Sequence, residues 1–249
     1  VALRVSSIGQ SFYKQRGMHF PTDLQAVQSD IPVGEFHRRP VSEWTDDFHY
    51  LDQATLDEAR TMLRDEIKIT ESDDELTRMD KITLFMRTEL VEAGGVPKDD
   101  FRWKHPFQIF KEMRQGTGKG WCTQNAQMFA FFANLAGVVT RFVYCGTVQD
   151  NVFIHDSHSW NESYLKDQGR WLYNDPVKAI IGVFDREGLA LNTADVFQLV
   201  QSGHFEETKA RIYTNWLWKD IPFDAPEDIA VNVPFEMVNV TAKKQFTPH

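Results

Sequence analysis

The sequence predicts an α+β fold, and three observations predict it. Apolar residues recur at helical spacing from Leu56 to Leu90. A nearly all-apolar run follows Cys122 and stops at Gly137. Strand-like segments rich in β-branched and aromatic residues then succeed one another from Val138 to Asp175. Helices first and antiparallel strands afterwards segregate the two kinds of structure. With 249 residues, 42% of them hydrophobic, the chain is long enough for one large core, with or without a small appendage.

Residues 1–50 show little periodicity and are punctuated by Pro21, Pro32 and Pro40. They read as an irregular arm or partial subdomain, with Phe12, Tyr13, Phe20, Phe36, Trp44 and Phe48 as anchors onto the main body. Thr55-Leu56-Asp57-Glu58 reads as a capping box that opens a helix, with Leu56, Ala59, Leu63 and Ile67 on one face. Ser72-Asp73-Asp74-Glu75 repeats the device ahead of Leu76, Met79, Ile82, Met86 and Leu90, and Gly94-Gly95 and Pro97 end that helix. The acids at 73–75 suit a helix start, and they lack the spacing of an EF-hand calcium loop. Pro106 opens a third, short helix carrying Phe107, Phe110 and Met113 toward Gln115.

Gly116, Gly118 and Gly120 then lead into Cys122. Glycines allow sharp turns and close backbone approach. The run from Thr123 to Ala136 is apolar on nearly every side, so a buried helix is expected, with Gly137 just past its end. Cys122 stands at its first turn, where the helix dipole favours a thiolate.

Val138–Gly146 and Ser157–Leu165 read as strands; Lys166-Asp167-Gln168-Gly169 is a hairpin turn, and Arg170–Asp175 is a third strand stopped by Pro176. Residues 194–202 and 205–218 read as helices with Gly203 between them, and 220–249 as an extended segment. This divides the chain into the arm at 1–50, a main domain at 51–219 and the extended end at 220–249.

A net charge of −9 without a basic stripe argues against nucleic-acid binding. No run of about 18 uncharged apolar residues exists to span a membrane. Two cysteines, Cys122 and Cys145, are too few for a disulfide framework or a four-ligand zinc site, and no metal or other cofactor is expected. The chain starts at Val1 rather than Met. A processed or truncated N-terminus and an exported setting, periplasmic or extracellular, are the expectation, though the sequence leaves the compartment open.

Cys122, His158 and Asp175 carry the chemistry. Their separations are 36 and 17 residues, and a hairpin can bring His158 and Asp175 side by side. Thiol catalysis needs a base near the sulfur and a carboxylate that fixes the imidazole tautomer. Cys145, in mid-strand, reads as an inert buried thiol, and His155, in the irregular approach 152–157, as a surface neighbour. Glu162 shares a strand face with His158 and Trp160 and reads as a salt-bridge partner.

In order along the chain these residues resemble the transglutaminase-like domain of the papain-like thiol superfamily. The resemblance rests on Gly118-x-Gly120-x-Cys122 with Ala126 four residues on, Thr140-Arg141-Phe142-Val143, His158-x-Trp160-x-Glu162, and Trp171 followed by Asp175-Pro176. It covers about residues 76–185. It implies a cysteine-bearing helix packed on an antiparallel sheet, with Cys122 as nucleophile, His158 as base and Asp175 as orienting acid. It also implies a thioester intermediate and a peptide or protein substrate. The second oxyanion donor beside the Cys122 amide is left between Gln115 and Trp103. Trp121 and Trp160 flank the nucleophile and base, as cleft walls or as core. Hydrolysis of amide bonds is favoured over glutamine crosslinking, because the remaining residues cannot hold the flanking β-sandwiches of the animal crosslinkers. A peptide N-glycanase lacks support without its zinc-binding cysteine pairs. A silent binding or scaffold module is the further alternative.

Overall fold

A computed structural model describes residues 2–3, 27–28, 52–98, 101, 104–144, 147–149, 152–154, 158–202, 204, 208–213 and 227–230. Its elements in chain order are β1 (Ala2–Leu3), β2 (Val27–Gln28), α1 (Gln53–Asp65), α2 (Glu75–Glu89), α3 (Pro106–Arg114), α4 (Cys122–Leu135), β3 (Thr140–Tyr144), β4 (Thr147–Gln149), β5 (Val152–Ile154), β6 (Ser159–Leu165), β7 (Arg170–Asn174), β8 (Ile180–Phe184), α5 (Thr193–Ser202), β9 (Lys209–Ile212) and β10 (Glu227–Ala230). The result is a mixed helix and antiparallel-sheet architecture.

Helices α1 and α2 begin one residue after an aspartate. Asp52 and Asp74 accept the backbone N–H of Thr55 and Thr77 at 2.9 and 2.7 Å. The α1 cap therefore sits three residues before the expected Thr55 box. A carboxylate is the stronger acceptor, and Thr55 instead donates its own hydroxyl to Asp52. Pro106 is at the start of α3, where a missing N–H costs nothing.

The core lies between these helices, α4 and the sheet. Met79, Ile82 and Met86 of α2, Phe107 and Phe110 of α3, and Met128, Phe129 and Phe132 of α4 are all buried with Leu172 and Ile181. Phe110 meets Phe132 edge-on at 5.1 Å between ring centroids, a favoured aromatic arrangement. Helix α4 is buried at nine of its fourteen residues, as its apolar composition requires. At its C-terminal end Gly137 adopts φ +81°. Asn134 there donates to the Thr140 carbonyl and accepts the Thr140 N–H, tying α4 to β3.

The sheet against α4 has the order β3-β6-β7, all antiparallel. Strand β6 is central and buried at every position but Tyr164. Trp171 and Trp160 are both buried. A second sheet, β10-β9-β8, joins the first where Asp175 pairs with Ile180. Helix expected over 205–218 is overturned at β9. Ala210 and Ile212 are buried while Lys209 is exposed, a period of two that suits pairing with β8. The expected strand at 138–146 is described as the shorter β3, and the approach at 152–157 holds β5, which pairs with β4. The arm at 1–50 is described only at β1 and β2, which pair with each other, so its aromatic anchors lie outside the described residues. The extended end is described only at β10, paired with β9. Among the described residues no helix is long and apolar enough to cross a membrane.

Candidate active site

The glycine loop sets the start of α4. Gly116 turns the chain with φ +74° after α3. Gly118 and Gly120 lie where backbone must pass close to side chains. A Cβ on Gly118 would stand 2.5 Å from the Phe101 ring, and one on Gly120 would stand 2.8 Å from Met113 Sδ. The loop is pinned laterally where Gly120 donates to the Ala93 carbonyl and accepts from Gly95 N–H. Trp121 is the N-cap, in extended conformation, and its side chain does not cap the helix. Gln124 instead accepts the Trp121 N–H at 3.0 Å, and Asn125 donates to the Trp121 carbonyl at 2.8 Å. These two side chains fix the backbone immediately before Cys122, which is the first residue of α4 and half-buried.

His158 stands just before β6 rather than within it. Its Nε2 lies 2.8 Å from Asp175 Oδ2. The His158 ring is also coupled electrostatically to the Cys122 sulfur, each favouring the other's charged form. Asp175 is fully buried. Its other oxygen accepts the N–H groups of Val177 and Lys178 at 3.0 and 3.3 Å. Its main chain exchanges both hydrogen bonds with Ile180. The carboxylate is thus locked by the turn that follows it, in which Pro176 has no N–H to compete.

The electrostatics follow from this chain of contacts. Burial pulls the His158 pKa down, but the Asp175 charge and hydrogen bond, with the Cys122 thiolate, raise it from 6.5 to about 9. Burial pushes the Cys122 thiol up. The His158 hydrogen bond and charge, with a hydrogen bond from the Ser159 N–H, outweigh it and hold the thiol below its ordinary value. The two charges thus support each other, the imidazolium lowering the thiol and the thiolate raising the imidazole. Arg87 of α2 is lowered by burial and raised again by the attraction of Asp175. The carboxylate thus also attracts a cation on α2.

The remaining candidates separate. Trp160 is 1% exposed, lies parallel to the His158 ring at 6.1 Å between centroids, and donates from Nε1 to Thr193 Oγ1. It is a core support under the imidazole rather than a cleft wall. Trp121, the residue before Cys122, is 48% exposed. Gln115 is exposed at the end of α3, where its backbone caps the helix. Trp103, Cys145 and His155 lie outside the described residues. Glu162 holds Arg141 in a buried ion pair and accepts the Thr193 N–H at 2.7 Å. Among the described residues no cluster of three or more His, Cys, Asp or Glu is arranged to hold a metal ion.

Residues 62–176 match the family model of the transglutaminase-like superfamily. This segment is a transglutaminase-like domain. The match opens inside α1 and closes one residue after Asp175, so Cys122, His158 and Asp175 all fall within the transglutaminase-like segment. No curated protein and no solved structure matches the chain.

Four residues that shape the transglutaminase-like segment's site could not be picked out from the sequence. Gln124 and Asn125 lie in a run read as apolar, though their spacing from Trp121 is that of a helix N-terminus. The Ser159 amide is invisible to any side-chain pattern. Arg87 is 88 positions from Asp175, and nothing in the sequence links them.

Proposed function

We propose that the protein is a cysteine hydrolase of amide bonds in peptides or proteins, working through Cys122, His158 and Asp175 in a papain-like arrangement. The observation that carries this reading is the His158 ring held at 2.8 Å by the buried Asp175 carboxylate and coupled to the Cys122 sulfur. The Cys122 thiolate attacks the amide carbonyl carbon, and the carbonyl electrons move to oxygen. The Cys122 backbone N–H, at a helix start where the Trp121 side chain forms no cap, supports the oxyanion. His158 gives its proton to the leaving nitrogen as the C–N bond breaks, which leaves a thioester and a neutral imidazole. Water then loses a proton to His158 and attacks the thioester. The acid is released, and thiolate and imidazolium are restored. Asp175 steadies the imidazolium and holds the tautomer throughout.

Trp121 serves in this reading as the exposed contact for substrate, one residue before Cys122. The working unit runs past the family match to at least Tyr213, whose hydroxyl donates to Asp80 of α2 at 2.5 Å. That reach supports a catalytic domain over 51–219. An amine replacing water at the second step would give protein-glutamine acyl transfer from the same thioester. A panel of glutamine-containing peptides, with and without added amine, separates the outcomes by product mass. Release of acid or ammonia by the native chain, abolished in Cys122→Ala, is the expected result. An amine adduct as the main product would favour transfer, and no conversion of any peptide would favour a silent module.

A further inference from the structure

The face of β6 toward α4 is polar where a sheet–helix interface is ordinarily apolar. Ser159, Asn161 and Ser163 alternate along it, and all are fully buried. Two of them grip α4 directly. Ser159 Oγ and Thr123 Oγ1 are 3.1 Å apart. Asn161 Nδ2 donates to the Ala126 carbonyl at 3.0 Å. The positions are informative. Thr123 follows Cys122 and Ser159 follows His158. Asn161 and Ala126 lie a strand repeat and a helical turn further on. Ala126 O is a helix carbonyl with an acceptor lone pair to spare, so the bond adds to the helix rather than completing it. The seam is also imperfectly satisfied. Asn161 Oδ1 and Asn174 Nδ2, on cross-strand partner residues, have no hydrogen-bond partner among the described residues. An apolar interface of the same shape would avoid that desolvation cost. Stability alone therefore gives no reason for this seam, whereas directional bonds fix the sliding register of α4 on β6.

We propose that the Thr123–Ser159 pair and the Asn161–Ala126 bond form a latch that sets the distance between the Cys122 sulfur and the His158 ring. Thr123, Ser159 and Asn161 are then positioning residues, and the proposal rests on the reading of Cys122 and His158 given above. An apolar seam lets α4 slide or rotate by a fraction of an ångström. That is tolerable for a core and damaging for the coupling of His158 to the Cys122 sulfur.

The test is the pH dependence of iodoacetamide labelling at Cys122, followed by peptide mass so that Cys145 is scored separately. It compares the full chain with Thr123→Val, Thr123→Ser and Asn161→Leu. The native chain should label well below the pH at which an ordinary thiol does. Thr123→Val and Asn161→Leu should each lower the rate at acidic pH by about tenfold, the effect of a thiol pKa higher by one unit. Thr123→Ser, which keeps the hydroxyl, should restore the native profile. Melting temperatures serve as the folding control, since an apolar replacement in this seam should preserve or raise them. A native low-pH limb that persists unchanged in both folded apolar variants would overturn the latch while leaving the catalytic reading intact. A native chain whose Cys122 labels like an ordinary thiol would overturn that reading, and the latch with it. Should Asn161→Leu fail to fold, Thr123→Val, which removes only one hydroxyl, decides alone.

Discussion

His158 Nε2 faces Asp175 Oδ2 at 2.8 Å, and the second oxygen of Asp175 is already engaged by the Val177 and Lys178 amides. The carboxylate cannot swing away, so the ring it holds cannot either. Asp175→Asn keeps an oxygen for the two amides but presents an NH₂ group to Nε2. The imidazole must then carry its proton on Nδ1 and can no longer take one from the sulfur. The expected outcome is a folded protein whose turnover falls on the order of 10³-fold or more, read from kcat on a peptide substrate with a melting curve as control.

Glu162→Gln should damage stability rather than chemistry. Arg141 and Glu162 are each 4% exposed at the side chain, and the guanidinium also lies 4.1 Å from the centre of the Trp171 ring. Burial raises the Glu162 pKa, but Arg141 and the Thr193 amide outweigh it and hold the carboxyl below 4.5. Its contribution is thus complete above pH 4.5 and is lost as pH falls through the lowered value. Removing the charge takes the anion away from the buried Arg141, and breaking a buried pair in this way costs about 3–5 kcal/mol. Urea unfolding at neutral pH checks the size. The difference between native and variant chains should shrink in acid.

The fold was legible wherever a local pattern matched its environment. Met79, Ile82 and Met86 announce the inner face of α2, and Pro106, Gly137 and the 166–169 turn announce their own positions. The proposed set of Cys122, His158 and Asp175 could be named from the sequence because a family pattern lists its members in order. What was hidden depended on tertiary context. Strand β9 looks helical until β8 is there to pair with it. The Asp52 cap lies one residue before the helix it serves and competes with a plausible Thr55 signal. Asn161 reads only as a strand residue until α4 lies against it.

Gly118→Ala tests the loop that delivers Cys122. Its new Cβ would meet the ring of buried Phe101 at 2.5 Å, so the ring or the loop must shift. Overpacking of this kind costs about 1–3 kcal/mol. The melting temperature should fall, and the labelling rate of Cys122 should fall with it as the loop shifts.

Trp121→Ala addresses the exposed ring of the residue before Cys122. It is 48% accessible and its side chain does not cap α4, so the helix start should survive its loss. The expected effect is a raised KM with kcat little changed, the sign of binding lost equally in ground and transition states.

The paired charges of Cys122 and His158 can be observed without a substrate. The ultraviolet thiolate absorbance of the native chain minus that of Cys122→Ala, followed across pH, isolates one sulfur. His158, raised to about 9, stays protonated until pH climbs through that value, and Cys122, held below its ordinary 9.0, ionises beneath it. The expected result is thiolate appearing below pH 9, with Asp175→Asn, which removes the charge that keeps His158 protonated, moving that transition upward. A single transition at or above pH 9, unmoved by Asp175→Asn, would contradict it.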